Sequence, residues 1–120
     1  MGNPLLDIQC NADENLLAKY GLKANDAILA DEKHAPLFDE LKNRPDVEYV
    51  PGGATQNALR VAQWILKRPN TTTFMGSVGV DDYATHMSEK ARQAGLNVRY
   101  QKTPDIKTGT CAVLVNGHNR

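Results

Sequence analysis

The spacing of hydrophobic positions changes several times along the chain, and each change marks an element. After Asp13, a residue type that caps helix N-termini, Leu16, Leu17 and Tyr20 share one face of a short helix that Gly21 is placed to end. A second helix opens near Pro36 and shows an apolar edge of Leu37, Phe38 and Leu41. Lys42 and Arg44 suit its negative C-terminal end, and Pro45 stops it. The third helix has the clearest pattern. From Thr55, its expected N-cap, to about Lys67, the residues Ala58, Val61, Ala62 and Ile65 fall at i, i+3, i+4 and i+7, with Leu59 and Leu66 widening an amphipathic face, part of which is expected to stay uncovered in this chain by itself. A fourth starts at Asp81 or Asp82, is expected to bury Tyr83, Met87, Ala91 and Ala94, and ends at Gly95.

Short apolar or β-branched runs alternate with these helices. Residues 27–30 (AILA), 47–50 (VEYV), 72–78 (TTFMGSV), 98–101 (VRYQ) and 110–115 (TCAVLV) are the candidate strands, and Asn116-Gly117 after the last is a strong turn signal. Strands alternating with helices predict an α/β layout with parallel pairing in part of the sheet. The chain opens on MGNPLLD with almost no strand ahead of a motif-like element. It stops at VNGHNR, just after a turn that should lead into a returning strand, so both ends read as cut.

Composition narrows the partners. The 120 residues fit one domain with a core of its own, 41% are apolar and 23% charged, and the 14 basic and 14 acidic side chains give no formal net charge. With a pI near 6.8 and no basic patch, a nucleic-acid partner is not expected. No apolar run reaches membrane-spanning length, and the N-terminus lacks both the signal-peptide pattern and the myristoylation pattern, so neither membrane nor secretion is expected. Cys10 and Cys111 read as thiols of a reducing cytosol, and His34, His86 and His118 lack metal-ligand spacing. The Asn70–Thr72 glycosylation match has no use in such a compartment.

The candidate chemistry gathers around Gly52-Gly53, which lies between a strand and a helix. Glycines there allow positive φ and the close approach of a ligand to the main chain, although a tight turn alone also explains them. Neither a G-x-x-x-x-G-K-[ST] loop nor a G-x-G-x-x-G fingerprint is present. Asn57, in the first turn of the helix, carries both a donor and an acceptor and suits a neutral polyol. Asp7 lies in an apolar run where an unpaired carboxylate is expensive to bury. It is either an exposed acid at a strand end or the acceptor of two adjacent hydroxyls, as in a ribose diol. Asn3, before Pro4, is a turn residue or part of the same site.

The segments GNPLLDI, NDAILA, VEYVPGGATQNALRVAQW, GSVGVDDYA and TGTCAVLVNG, in this order, closely resemble the N-terminal part of the ribokinase (PfkB) family of carbohydrate and nucleoside kinases, and within it the branch that phosphorylates adenosine. The resemblance implies a Rossmann-like large α/β domain (residues 1–4 and 52–107) and a small β-sheet lid (residues 5–51 and 108–117), both truncated. It implies that Asp7 holds the ribose hydroxyls with the Gly53 backbone and Asn57, and that Gly52 and Ala54 line the same turn. Asn3 would lie near the purine and ribose floor, Leu5 and Leu29 would sandwich the adenine, Cys111 would pack nearby, and Arg120 would point towards the phosphates. Three positions depart from the family pattern: Ala54 stands for serine, Ala84 for glycine and Ala27 for the glutamine of some relatives.

The family's catalytic aspartate in G-A-G-D, its magnesium-associated N-x-x-E and its ATP-binding segments are expected downstream of these 120 residues; G-A-G-D is absent here, and the one literal N-x-x-E match, Asn11–Glu14, lies near the start of the chain. The implied activity is ATP- and Mg2+-dependent phosphorylation of the adenosine 5′-hydroxyl in purine salvage, in the cytoplasm with the nucleus a second compartment. The chain itself would supply nucleoside binding but no catalytic or metal residue. A sibling nucleoside or sugar kinase, and a non-catalytic nucleoside-binding or assembly module, are the alternatives. NPLLD argues against a sugar kinase, which has no apolar purine clamp.

Overall fold

The computed structural model describes residues 1–118. In chain order the elements are β1 (Leu5–Asn11), α1 (Glu14–Lys19), a 3-10 turn (Glu32–His34), α2 (Ala35–Lys42), β2 (Glu48–Gly52), α3 (Ala54–Leu66), β3 (Thr73–Val78), α4 (Asp82–Gln93), β4 (Asn97–Lys102) and β5 (Thr110–Val115). Strands β2, β1 and β5 form one sheet in that order, and β3 pairs with β4 in parallel, Phe74 opposite Val98. The chain divides into two compact units, one of residues Met1–Asp7 and Tyr49–Cys111, the other containing Ile8–Glu48 and residues 112–118.

In the first unit the apolar side chains of β3, β4 and α4 make the core. Leu6, Val78, Ala84 and Met87 form one buried cluster, and Phe74, Ala91, Leu96 and Val98 another. Tyr100 packs against both and meets Phe74 edge-on, with ring centroids 6.0 Å apart. Full burial of side chains such as Phe74, Leu96 and Met87 is worth about 1.5–3 kcal/mol each. Burial, partly offset by the Arg92 charge and the hydrogen bond to Gln56, pushes the Tyr100 phenol up to about 12. In the second unit Ile8, Cys10, Leu16, Leu17, Leu37 and Leu41 are buried, and Glu40 accepts from Lys19 Nζ at 2.6 Å and Tyr20 OH at 2.7 Å.

Several expected signals act as expected. Asp13 accepts from Leu16 N–H at 2.8 Å and caps α1, a proline sits in the first turn of α2, and Asp81 caps α4. Others are corrected. Residues 27–30 form no strand: Asp26 accepts from Ala27 N–H in a turn, Ile28 and Leu29 are exposed, and a strand holds its shape only when a neighbour supplies ladder hydrogen bonds. The start of the chain, by contrast, holds the seven-residue β1, whose alternation buries Leu6, Ile8 and Cys10. Ala94 is exposed because α4 ends at Gln93 and the chain leaves the core face there. Thr55 lies inside α3, whose N-cap position is Gly53, with no side-chain cap.

Much of the apolar face of α3 is uncovered, as expected of this chain by itself, and the side chains the helix does bury are polar. The residues it buries fully are Gln56 and Gln63, while Ala58, Val61, Trp64, Ile65 and Leu66 are exposed and Leu59 and Ala62 are half-buried. Hydrogen bonding explains how two amides enter the interior. Gln56 Nε2 donates to Gly52 O at 3.1 Å and its Oε1 accepts from Tyr100 OH. Gln63 Oε1 accepts from the N–H groups of Thr71 and Thr72, both at 3.1 Å, and from Thr72 Oγ1, while its Nε2 donates to Arg68 O. Seven residues apart, the two amides share a helix face and tie α3 to the backbone at each end. Substituting Trp64→Gln together with Ile65→Gln is expected to lower self-association of the 120-residue chain, read by sedimentation, because Trp64 is 76% and Ile65 66% exposed in one stripe. An unchanged sedimentation profile would show that the stripe is not adhesive.

Asp81 anchors a second polar knot in the first unit. Its carboxylate accepts from Ala84 N–H at 2.9 Å, Thr108 N–H at 2.8 Å and Thr108 Oγ1 at 2.7 Å, and Thr108 Oγ1 accepts from Gly79 N–H at 3.0 Å. Burial works against the charge, but these donors outweigh it and hold the carboxyl below its ordinary value. Asp81→Ala is expected to cost about 1–3 kcal/mol at neutral pH, measured by urea unfolding. A carboxylate depressed in the folded state stabilises above its unfolded pKa and loses that contribution as pH falls through the folded one. The gap between parent and variant should therefore be full near neutrality and close below about pH 4. A gap constant down to acid pH would refute the ionised clamp.

Candidate functional site

The turn from β2 into α3 contains glycine at two positions, for two different reasons. Gly53 has φ +91°, and a Cβ there would stand 2.5 Å from Asn3 O, 3.4 Å from Leu5 N and 3.5 Å from Pro4 Cα. Both the dihedral and the space exclude a side chain. At Gly52 a Cβ would lie 2.8 Å from Asp7 Oδ1 and 3.1 Å from its carboxyl carbon, so the carboxylate rests directly against the bare Cα. The chain's own packing therefore requires both glycines, whether or not a ligand approaches.

The turn is braced from α3. Gln56 holds Gly52 O, and Asn57 N–H donates to Gly53 O at 2.9 Å, closing the first helical turn. Arg60 Nη1 donates to Pro51 O at 2.7 Å and to Asn57 Oδ1 at 3.1 Å. Asp7 is half-buried, whereas Asn3, Ala54 and Asn57 are exposed and Leu5 is partly so. Leu5 packs towards Gly109, where a Cβ would meet Leu5 Cδ2 at 2.8 Å.

Asn3, Leu5, Asp7, Gly52, Gly53 and Asn57 are thus joined through shared contacts in the first unit, and Ala54 continues their backbone. Cys111 is an exposed residue near the start of β5 in that unit. Leu29 belongs to the second unit, where it is 95% exposed in a stretch without regular structure. Arg120 lies outside the described residues. Sequence reading missed Gln56 and Arg60. The available signal was spacing, since both lie on α3 one turn from residues already singled out, at i+4 from Gly52 and i+3 from Asn57.

The cluster brings together a carboxylate, a carboxamide and a helix N-terminus. Asp7 offers acceptors, the start of α3 offers backbone donors, and Asn57 offers a carboxamide, a set that matches neighbouring hydroxyls on a neutral ligand. Among the described residues no group of three or more His, Cys, Asp or Glu side chains could hold a metal ion, and no helix is long and apolar enough to cross a membrane.

Comparison with known proteins places these features. The chain is 50% identical to adenosine kinase 2 of Arabidopsis thaliana over 120 residues, all of this chain but 35% of that protein. Among solved structures, the adenosine kinase of Anopheles gambiae in complex with P1,P4-di(adenosine-5) tetraphosphate is 53% identical with a TM-score of 0.85, covering 99% of this chain and 36% of the other. The apo adenosine kinase of Trypanosoma brucei brucei is 36% identical with a TM-score of 0.94, covering 99% and 37%. The chain spans about a third of the length of the curated relatives it matches. Its fold is ribokinase-like α/β, in truncated form. Residues 14–120 match the family described as pfkB family carbohydrate kinase, and the chain belongs to that family.

Proposed function

We propose that this chain is the nucleoside-binding N-terminal part of an adenosine kinase, which transfers the γ-phosphate of ATP to the adenosine 5′-hydroxyl and gives AMP. The observation that carries this reading is the half-identical match to adenosine kinases over the whole length of the chain. In this reading the Asp7 carboxylate accepts hydrogen bonds from the ribose 2′- and 3′-hydroxyls, and Asn57 donates to one of them. The ribose lies along the Gly52-Gly53 backbone, Asn3 borders the purine, and Leu5, Leu29 and Cys111 give the base apolar cover. Residues 5–51 and 108–117 form the lid and residues 1–4 and 52–107 belong to the large domain.

Phosphoryl transfer depends on positioning and charge stabilisation. The proposal assigns magnesium, ATP and the catalytic base to sequence beyond these 120 residues, since the family's G-A-G-D motif is not among them. Arg120 is proposed as phosphate-proximal.

The test is a chimera in which this chain replaces the matching third of the Arabidopsis thaliana adenosine kinase 2. It is expected to form AMP from adenosine and Mg-ATP, whereas the 120-residue chain alone is expected to form none above a buffer control. A folded chimera that binds ATP and leaves adenosine untouched would sink the reading, and sustained turnover by the isolated chain would sink the division of labour. Within the chimera, Asp7→Ala is expected to weaken adenosine binding by about 2–4 kcal/mol, at about 1.5–3 kcal/mol for each hydrogen bond to a charged group. It should change the already poor binding of 2′,3′-dideoxyadenosine little. Equal losses for both nucleosides, read by calorimetry, would show that Asp7 does not hold the diol.

A further inference from the structure

The guanidinium of Arg60 is spent in an unusual way. Nη1 reaches both Pro51 O at 2.7 Å and Asn57 Oδ1 at 3.1 Å, while Nε is buried without a hydrogen-bond partner. A buried N–H left unpaired is a standing cost, and an apolar side chain of similar length would cover the same helix surface without it. What an apolar side chain could not do is hold two oxygens at once.

From this geometry we infer that Arg60 is a positioning residue that fixes the polarity of the Asn57 carboxamide, and through it the way the site reads a hydroxyl pair. A guanidinium has donors only, so the Asn57 atom facing it is the carbonyl oxygen, and Nδ2 is the amide end left for a ligand. The anchor at Pro51 O joins the end of β2 to the first turns of α3, on either side of the glycine turn. Asp7 then accepts and Asn57 donates, so a hydroxyl between them gives its proton to one and takes a hydrogen bond from the other. With Arg60 gone, the carboxamide rotates freely and presents its oxygen as often as its nitrogen, which opposes Asp7 with a second acceptor.

This inference rests on the ribose reading of Asn57, and its test separates the two. In the active chimera, Arg60→Met is expected to raise the KM for adenosine about three- to tenfold, the worth of one oriented hydrogen bond, with kcat and thermal midpoint near those of the parent. The same substitution should leave the KM for 2′,3′-dideoxyadenosine unchanged and add nothing in an Asn57→Ala background. Arg60→Lys, which keeps one donor point in place of a fork, should fall between parent and Arg60→Met. It also decides the matter should the methionine variant fail to fold: a raised KM for adenosine alone supports the role, and an unchanged KM overturns it. A full loss that persists in the Asn57→Ala background, or a fall in kcat with KM intact, would overturn the positioning role. If Asn57→Ala leaves the KM for adenosine unchanged, the ribose reading of Asn57 fails. If Asn57→Ala raises it and Arg60→Met does not, the inference about Arg60 fails alone.

Discussion

The backbone carbonyl of Asn3 stands so close to Gly53 that no side chain fits between them, and the first unit is arranged around that contact. It places the start of the chain over the strand-to-helix turn, with φ at Gly53 in the range that L side chains rarely adopt. Asp7 follows four residues later and comes to rest on the neighbouring Gly52. The orientation of α3 follows as well, since its first hydrogen bonds, from Gln56 and Asn57, end on the two glycine carbonyls. The Asp7 carboxylate and the Asn57 carboxamide are thus brought beside the same turn by the packing of the chain itself.

That constraint explains both what the sequence disclosed and what it concealed. Local signals were legible because their physics is local. Asp13 and Asp81 cap the helices they precede, and the β-branched and aromatic runs at residues 72–78 and 98–101 become a parallel pair. The Gly52-Gly53 pair and Asp7 stood out as odd residues, although the reason for the glycines, Asn3 and Asp7 packed against them, was a tertiary matter. Residues 27–30 looked like a strand because apolar composition reports propensity, whereas a ladder also needs a partner. The stripe of α3 was legible as a stripe, and so was the expectation that part of it lies uncovered in this chain. Periodicity shows that a helix has two faces, and which one is covered depends on what lies outside the helix.

Gln56 and Gln63 show why composition misleads at such a position. An amide enters the interior at little cost when each of its donors and acceptors is met by fixed backbone, as at Gly52 O, Arg68 O and the Thr71 and Thr72 N–H groups. Such anchors set the rotation of the helix about its axis more sharply than aliphatic packing does, because hydrogen bonds are directional. Ala58, Val61, Trp64, Ile65 and Leu66 are exposed on the same helix, and Asn57 is exposed beside the glycines.

The placement of the amino terminus has a consequence for the order in which the protein comes into being. Gly2 N–H donates to Met75 O at 3.2 Å, Leu6 N–H to Gly109 O at 2.9 Å, and the Asn3 carbonyl closes over Gly53. On a ribosome that adds about 5–20 residues per second, Gly2, Asn3 and Leu6 wait seconds for the last of these partners. Such distant pairings also make folding slow relative to helix formation, since a long loop must close before any contact rewards it. Within this segment the residues made earlier therefore wait for those made later, and the backbone of Leu6, whose side chain is fully buried in the fold, gains its partner only once Gly109 has been made.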